Sequence, residues 1–241
     1  MPVTCKDVTY GLNEMAKGES CVSGFCRFGG LLRDTNTMDK GKTAAGTIGA
    51  ITLVRHGEPN LSRRVKFDWR GYEAWWAKYD QAGLLAGQTP PPLLHDFARE
   101  ARYIYSSTLR RSVETARAVC GDRAFESLDM LIEAPLPPPH FPSFIKLSPN
   151  SWGWGFMARV WWWYFNVHQG QESRDQAKTR ARAAAEFLMD RAREGGDVLV
   201  LAHGFFNLMI SIELKKMGYI KALEQGFKYW GCRRYEVRTR S

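Results

Sequence analysis

Two short apolar runs, each closed by a histidine and a glycine, constrain the fold of this chain more than any other feature. The runs are ITLVRHG (51–57) and DVLVLAHG (197–204). Each is too short for a typical helix, and its apolar part is typical of a strand buried on both faces of a parallel sheet. The carboxyl ends of parallel strands meet at one edge, where open α/β sheets bind their ligands. We therefore expect His56 and His203 to lie close together at that edge.

From residue 48 onwards the chain alternates between strand and helix patterns. RYIYSS (102–107) predicts a strand, and the helix after it is expected to end at Gly121. The predicted buried face of that helix consists of Leu109, Val113, Ala116 and Cys120. Another helix, from about Phe206 to Met217, follows the second His-Gly pair. RRYEVRT (233–239) alternates between apolar and polar residues, as a strand at the edge of a sheet does.

A further helix is predicted to begin at Ser173, because Ser173 and Gln176 have the spacing of a capping box. It is expected to end at EGG (194–196). Its predicted buried stripe consists of Ala177, Ala181, Ala184 and Leu188. Together these patterns predict a three-layer α/β/α sandwich with a mostly parallel central sheet.

Two proline-rich and two aromatic-rich segments interrupt the alternation. QTPPPLL (88–94) and APLPPPHFP (134–142) predict stiff loops, because proline removes a backbone donor. DWRGYEAWWAKY (68–79) and WGWGFMARVWWWYFNV (152–167) predict an aromatic-rich helical cap or insertion over the edge that carries the histidines. Their aromatic side chains either pack on the core, or form a lid over a bulky substrate or a membrane-surface contact.

The first 48 residues differ in composition from the rest of the chain. They are rich in glycine, serine, threonine and aspartate, and they show no sustained period of 2 or 3.6 residues. Such a segment cannot bury a core of its own, which predicts a disordered N-terminal extension over 1–48. A regulatory or targeting arm is the alternative. The folded domain is expected to span 49–241.

Composition limits the partners of the chain. Its 34 Lys and Arg residues against 25 Asp and Glu give a formal net charge of +9, which favours an anionic partner. No segment carries the basic stripe with interleaved aromatics that is typical of nucleic-acid binding. No apolar segment reaches the roughly 20 residues of a membrane-spanning helix. The five cysteines form no C-x-x-C pair, which favours a reducing, cytoplasmic compartment.

A third element is expected at the edge that carries the two histidines. SSTLRRSVETA (106–116) lies at a strand-to-helix turn, so it brings arginines and a helix N-terminus to that edge. Helix N-termini attract anions through their free N–H groups and dipole. Arginine adds a permanent charge and a fork that matches two oxygens. A pocket with these groups is typical of phosphoryl binding.

The motifs at this edge carry a resemblance to a known family. They are RHGE (55–58), SSTLRRSVETA (106–116), IEAPLP (132–137), QES (171–173) and VLVLAHG (198–204). In this order the chain resembles the histidine phosphatase superfamily, the phosphoglycerate mutase-like family, over residues 50 to about 220. The resemblance implies that 49–241 is a histidine phosphatase domain with the phosphoglycerate mutase-like fold.

The resemblance also implies roles for individual residues. His56 would be the nucleophile that forms a phosphohistidine, and the Gly57 carbonyl would fix the tautomer of its ring. Glu133 would be the general acid that protonates the leaving oxygen and later activates water. The residues expected to bind the phosphoryl oxygens are Arg55, Arg111 and His203. His95, His140 and His168 are scattered in loops and predict no metal site.

Two residues and two functions stay open. Glu58 is either the alternative acid or a substrate contact, and Arg110 is either solvated or a substrate contact. The implied function is a metal-independent phosphomonoesterase that needs no cofactor and acts on a small phosphorylated substrate. The alternatives are a phosphomutase of the same family and a non-catalytic phosphate-binding or scaffold protein.

Overall fold

The computed structural model describes residues 48–150 and 153–237. The predicted extension over 1–48 lies outside these residues, apart from Ile48. Trp152 of the second aromatic segment and the last two residues of the predicted strand over 233–239 also lie outside them.

A six-stranded sheet forms the centre of the described chain. Its strands are β1 (Ile51–Arg55), β2 (Tyr103–Ser107), β3 (Glu126–Leu128), β4 (Val198–Ala202), β5 (Tyr219–Glu224) and β6 (Cys232–Val237). Their spatial order is β3-β2-β4-β1-β6-β5. The first four strands in this order are parallel, and β6 and β5 are antiparallel to their neighbours. The prediction of a mostly parallel sheet is confirmed.

Six α-helices accompany the sheet in the described residues. They are α1 (Trp69–Gln81), α2 (Pro92–Glu100), α3 (Arg110–Cys120), α4 (Trp154–Phe165), α5 (Arg174–Arg193) and α6 (Gly204–Lys216). A single 3₁₀ turn (Asp129–Leu131) precedes the segment that carries Glu133. No helix in the described ranges is long and apolar enough to cross a membrane.

The helices form a layer on each face of the sheet because successive strand side chains point to opposite faces. On one face Leu53 of β1 joins a core cluster with Leu188 of α5 and Ile210 of α6. On the other face Val54, the next residue of β1, joins a cluster with residues of α2 and α3, such as Leu94 and Val119. This arrangement confirms the predicted three-layer α/β/α sandwich.

The helix α5 follows the sequence prediction closely. The Ser173 hydroxyl accepts a hydrogen bond from Gln176 N at 3.3 Å, and the Gln176 side chain accepts one from Ser173 N at 2.8 Å. This capping box satisfies two backbone donors that the helix itself cannot satisfy. All four residues of the predicted stripe are buried: Ala177, Ala181, Ala184 and Leu188.

The C-terminal strand does not lie at the edge of the sheet, so that prediction was wrong. β6 pairs with β1 on one side and with β5 on the other. The edge belongs to β5, which the sequence did not reveal as a strand because most of its residues are exposed and no alternation marks it. Its register shifts between Lys221 and Leu223. Charges and irregular pairing are common at natural sheet edges, where they hinder pairing with other chains.

The first proline-rich segment was also predicted wrongly in part. Pro92 to Leu94 form the first turn of α2, with Pro91 as the residue before the helix. Proline is tolerated at the first helical position because its missing N–H would have no helical partner there. The second segment, 134–142, contains no helix or strand, as predicted.

The buried face of α3 is more polar than its apolar spacing predicted. Leu109 and Val113 are half-buried, whereas Arg111, Ser112 and Thr115 are fully buried. The polar residues face the two His-Gly motifs. The Ser112 hydroxyl lies 3.3 Å from His203 Nε2, and the Thr115 hydroxyl accepts a hydrogen bond from Gly57 N at 3.0 Å. The spacing of apolar residues therefore does not reveal polar residues that are buried next to a polar site.

The two aromatic segments pair with each other. Tyr72 and Trp75 of α1 and Trp154 of α4 belong to one buried cluster, in which the rings of Tyr72 and Trp154 lie 5.8 Å apart. Trp162 of α4 is also fully buried, against the core that α5 and α6 form with the sheet. These four aromatic side chains therefore pack as a core, whereas Phe156, Tyr164 and Phe165 of α4 are exposed.

Candidate active site

His56 lies at the carboxyl end of β1, next to His203 at the end of β4. Arg55 is opposite Ala202 in the parallel register, and His56 N donates to Ala202 O at 2.9 Å. The two imidazole centroids are 5.2 Å apart. The convergence of both His-Gly motifs is therefore a consequence of parallel pairing in register.

The His56 ring has a defined tautomer. Its Nδ1 donates a hydrogen bond to Gly57 O at 2.7 Å, because a carbonyl oxygen can only accept. In the neutral ring this leaves Nε2 with a free lone pair. Burial, followed by the charges of Arg111 and Arg55, holds the pKa of His56 well below its ordinary value. The ring is therefore neutral at physiological pH.

The glycine after each histidine allows close packing. A Cβ at Gly57 would lie 2.3 Å from the Trp230 ring, and a Cβ at Gly204 would lie 3.2 Å from Cδ and Nε of Arg55. The first glycine therefore lets the Trp230 ring pack against the backbone that follows His56. The second lets the Arg55 side chain lie across the start of α6.

Arg55 reaches from the end of β1 towards the last loop before β6. Its Nη1 donates to Phe227 O, and its guanidinium lies 4.3 Å from the centroid of the Tyr229 ring. Its buried Nε has no hydrogen-bond partner within the described part of the chain. A buried donor of this kind is costly unless a ligand accepts its hydrogen bond.

Arg111 is fully buried at the start of α3. Its Nη1 donates to Tyr79 O at 2.8 Å, its Nη2 contacts Asp80 Oδ1 at 3.3 Å, and its guanidinium lies 4.4 Å from the Tyr79 ring centroid. Burial raises the pKa of Asp80 and the Arg111 charge opposes this. Nε of Arg111 also lacks a partner in the described ranges. A second charged donor is thus available near His56.

His203 is fully buried behind His56. Its Nε2 lies 2.9 Å from the Ser107 hydroxyl and 3.3 Å from that of Ser112. Burial first, and then the charge of Arg111, holds the pKa of His203 well below its ordinary value. Two serines of the 106–116 motif therefore contact the His203 ring directly, as expected from the position of the motif at the same edge of the sheet.

Glu133 caps the N-terminus of α6 from a distant part of the chain. Its Oε1 accepts hydrogen bonds from Phe206 N at 2.9 Å and from Ala134 N at 3.0 Å, and its Oε2 accepts one from Phe205 N at 3.3 Å. The free N–H groups and dipole of a helix start stabilise a carboxylate in this position. The contact fixes Glu133 beside Gly204, which also lines the cleft described next.

A cleft with a volume of about 400 Å³ joins these groups. Four residues predicted for the site line it: Arg55, His56, Arg111 and Glu133. Gly57, Glu58, Arg110 and His203 do not line it. The wall facing the sheet edge consists of residues from the two aromatic helices: Trp76 and Tyr79 of α1, and Gly155, Phe156 and Arg159 of α4.

The two residues left open by the sequence lie outside this cleft. The Arg110 guanidinium is exposed and pairs with Glu114 at 2.7 Å. Glu58 is exposed, and its backbone is fixed by Gln88, whose side chain bonds both Glu58 N and Glu58 O at 2.7 Å.

Arg63 and Arg159 also line the cleft, although neither belongs to a sequence motif of the predicted site. The Arg63 guanidinium lies 5.4 Å from the Tyr79 ring centroid and 5.5 Å from that of Tyr229. Burial lowers the pKa of Arg159 to about 10, with Glu133 opposing the shift, so Arg159 stays charged at neutral pH. A single arginine inside an aromatic helix was the sequence signal for Arg159; Arg63 has no comparable signal.

The two buried histidines predict acid sensitivity of the fold. Both are neutral in the folded chain because their pKa values are lowered, whereas the unfolded chain protonates them near pH 6.5. The unfolded state then binds more protons below that pH, so the free energy of unfolding falls as the pH falls. We expect each histidine to lower the free energy of unfolding by about 1 kcal/mol between pH 7.5 and pH 5.5.

Urea unfolding of wild type and His203→Asn at both pH values measures this effect. The variant should lose about 1 kcal/mol less than wild type over the interval. His95→Asn, a surface histidine, is the control and should behave as wild type. An equal loss in wild type and His203→Asn would contradict the assignment of a neutral buried His203.

The fold and the cleft define a class of α/β protein in which paired histidines and arginines lie at the carboxyl edge of a mostly parallel sheet. A model of the histidine phosphatase superfamily (branch 1) matches residues 51–226. The match covers most of the chain, and the chain belongs to this superfamily. The resemblance seen in the sequence motifs is confirmed.

Solved structures share the fold. A phosphoglycerate mutase from Bacillus anthracis str. Sterne is 15% identical, with a TM-score of 0.51, over 81% of this chain and 94% of that chain. A protein described as mycobacterial hydrolase 1 is 19% identical, with a TM-score of 0.50, over 80% of this chain and 97% of that chain. At these identities the likeness shows the fold alone. No curated protein sequence matches the chain.

Proposed function

We propose that this protein is a phosphatase that hydrolyses a phosphate monoester through a phosphohistidine on His56, without a metal ion. The observation that carries the proposal is the arrangement around His56. Its free Nε2 lone pair shares a cleft with two arginines, Arg55 and Arg111, whose buried Nε donors lack protein partners in the described residues. Phosphoryl transfer needs an in-line nucleophile and charge on the three equatorial oxygens.

In the first step Nε2 of the neutral His56 attacks phosphorus. The bond between phosphorus and the ester oxygen breaks, and that oxygen leaves as an alcohol after taking a proton from Glu133. Arg55 and Arg111 bind the phosphoryl oxygens and offset the charge that develops on them. The hydrogen bond from Nδ1 to Gly57 O stabilises the imidazole as it becomes positively charged.

In the second step water attacks the phosphorus of the phosphohistidine. The Glu133 carboxylate accepts the proton of that water, the P–N bond breaks, and His56 returns to its neutral form with inorganic phosphate as the product. His203 would act from behind the nucleophile, because its buried ring lies 5.2 Å from that of His56 and it does not line the cleft.

The position of Glu133 favours an enzyme over a non-catalytic binding protein. A phosphate-binding protein needs cationic donors, whereas a carboxyl group in the same cleft repels a phosphate dianion. Glu133 nevertheless lines the cleft, and within the described ranges its Oε2 accepts one long bond, from Phe205 N at 3.3 Å. This oxygen is the one that would carry the proton in the first step.

The test is phosphate release by the full chain from 4-nitrophenyl phosphate and a panel of alkyl and sugar phosphates, with a chelator present. We expect turnover that the chelator does not change. An added alcohol acceptor distinguishes a mutase, which would transfer the phosphoryl group to the acceptor rather than to water. A protein shown by circular dichroism to be folded, but with no turnover on any member of the panel, would overturn the proposal.

A further inference from the structure

An apolar groove runs between α4 and α6 on the outside of the cleft. Its lining comes from one face of each helix, at helical spacing: Phe156, Val160, Trp163 and Tyr164 of α4, and Phe205, Leu208, Met209 and Ile212 of α6. Its volume is about 290 Å³. Tyr164 is 73% exposed and Ile212 is 40% exposed. Apolar surface gathered in a concave groove marks a binding site more often than scattered exposed residues do.

The groove adjoins the cleft that holds His56. Phe156, Arg159 and Phe205 line both. Phe205 also lies at the start of α6, where its backbone N–H donates to Glu133. The path from His56 to the groove would therefore run past the side chains of Phe156 and Phe205.

Arg159 stands at the junction between the two spaces. Its guanidinium lies 3.6 Å from the Phe205 ring centroid and 5.0 Å from that of Trp162. It donates to the carbonyl oxygens of Ala134 and Pro135, both at 3.4 Å. Arginine commonly lays its aliphatic stem along apolar surface while its charged end faces polar groups. Arg159 thus separates a charged compartment from an apolar one.

We propose that the substrate of this enzyme is an amphiphilic phosphate monoester, whose phosphate binds at His56 and whose apolar chain lies in the groove between α4 and α6. The inference rests on the proposed phosphatase function and names its substrate class. The occupant of the groove would be the alkyl, acyl or isoprenoid chain of the substrate. Three residues of the cleft wall, Phe156, Arg159 and Phe205, also line the groove, so an apolar chain attached to a phosphate at His56 lies next to it.

The first measurement is kcat/KM for ethyl, butyl, hexyl and octyl phosphate at concentrations below micelle formation. Burying one methylene group contributes about 0.8 kcal/mol, which corresponds to a factor of up to about four in kcat/KM. We expect a rise of about two- to four-fold per added methylene group while the chain remains in the groove. A flat series would overturn the inference.

Ile212→Asp and Tyr164→Asp test the place where the chain binds. Each puts a charge into the groove at an exposed position, which limits damage to folding. Both should lower the ratio of octyl to ethyl phosphate kcat/KM by ten-fold or more. Ile220→Asp is the matched control, because Ile220 is 47% exposed and lies on β5, away from the groove. It should retain the wild-type ratio.

The outcomes separate the two proposals. Absence of turnover on 4-nitrophenyl phosphate as well as on every alkyl phosphate refutes the phosphatase function. Turnover on 4-nitrophenyl phosphate with a flat chain-length series refutes the amphiphilic substrate alone. If wild type is a dimer, Ile212→Asp is a monomer and chain length has no effect, the groove is an interface between copies of the chain and the inference is overturned. Thermal unfolding of each variant verifies that it is folded.

Discussion

Replacing His56 by asparagine is expected to lower kcat for phosphate monoesters by about 10⁴-fold or more, since loss of a catalytic nucleophile removes the covalent route altogether. Asparagine can still donate from its amide to Gly57 O, where the Nδ1 of His56 donates at 2.7 Å. The variant therefore keeps the local hydrogen bond and loses the Nε2 lone pair. The fall in kcat would then report the chemistry rather than a collapsed loop.

Trapping of the intermediate gives a second readout for the same variant. Wild type mixed with labelled substrate and quenched in alkali should retain label on the protein, because a phosphohistidine survives alkali and is lost in acid. His56→Asn should retain none. The control is His95→Asn, which replaces a histidine whose Nδ1 also donates to a backbone carbonyl, Val119 O at 2.9 Å. Alkali-stable label in His56→Asn would assign the nucleophile to another residue.

Replacing Glu133 by glutamine is expected to lower kcat by about 10²- to 10⁴-fold for alkyl phosphates, the range typical of a lost general acid. Glutamine keeps an oxygen that can accept from Phe206 N, as the Glu133 carboxylate does at 2.9 Å, so the start of α6 should stay in place. It cannot donate a proton to the leaving oxygen. An alkoxide leaves poorly without that proton, whereas 4-nitrophenolate leaves readily.

The diagnostic result is therefore the dependence on the leaving group. Glu133→Gln should lose much less activity on 4-nitrophenyl phosphate than on an alkyl phosphate, and Glu186→Gln, at an exposed pair with Arg182, should lose little on either. An equal loss on both substrates would mean that Glu133 positions Phe205 and α6 but does not transfer the proton. Should Glu58→Gln show the leaving-group pattern instead, the acid would be Glu58.

The helices show how far local sequence patterns reach. The capping box at Ser173 and Gln176, the buried alanine stripe of α5 and the glycine ends of α3 and α6 depend on residues a few positions apart, so their spacing can be read directly. The misreading of the sheet edge has a different cause, because it depended on neighbours distant in the chain. β5 is the edge strand because β6 pairs with β1, and no residue within β5 encodes that choice.

For the site, the sequence determined that His56 and His203 meet and that the arginines after β2 lie at the same edge, because parallel strands align their carboxyl ends and a helix start follows β2. The choice of Arg111 over Arg110 came from the family resemblance. Only the tertiary structure decided which side chains face the cleft. It buries His203 behind His56, turns Arg110 to the surface, and brings in Arg63 and Arg159.

The physical reason is the range of the interactions involved. Strand and helix patterns depend on residues two to four positions apart, so they can be recognised in a short stretch of sequence. The wall of the cleft arises from the packing of α1 against α4, where Tyr72 meets Trp154, and from the contact of Glu133 with the start of α6. Such contacts join residues some 70 or 80 positions apart, and their geometry is fixed only when the core is packed.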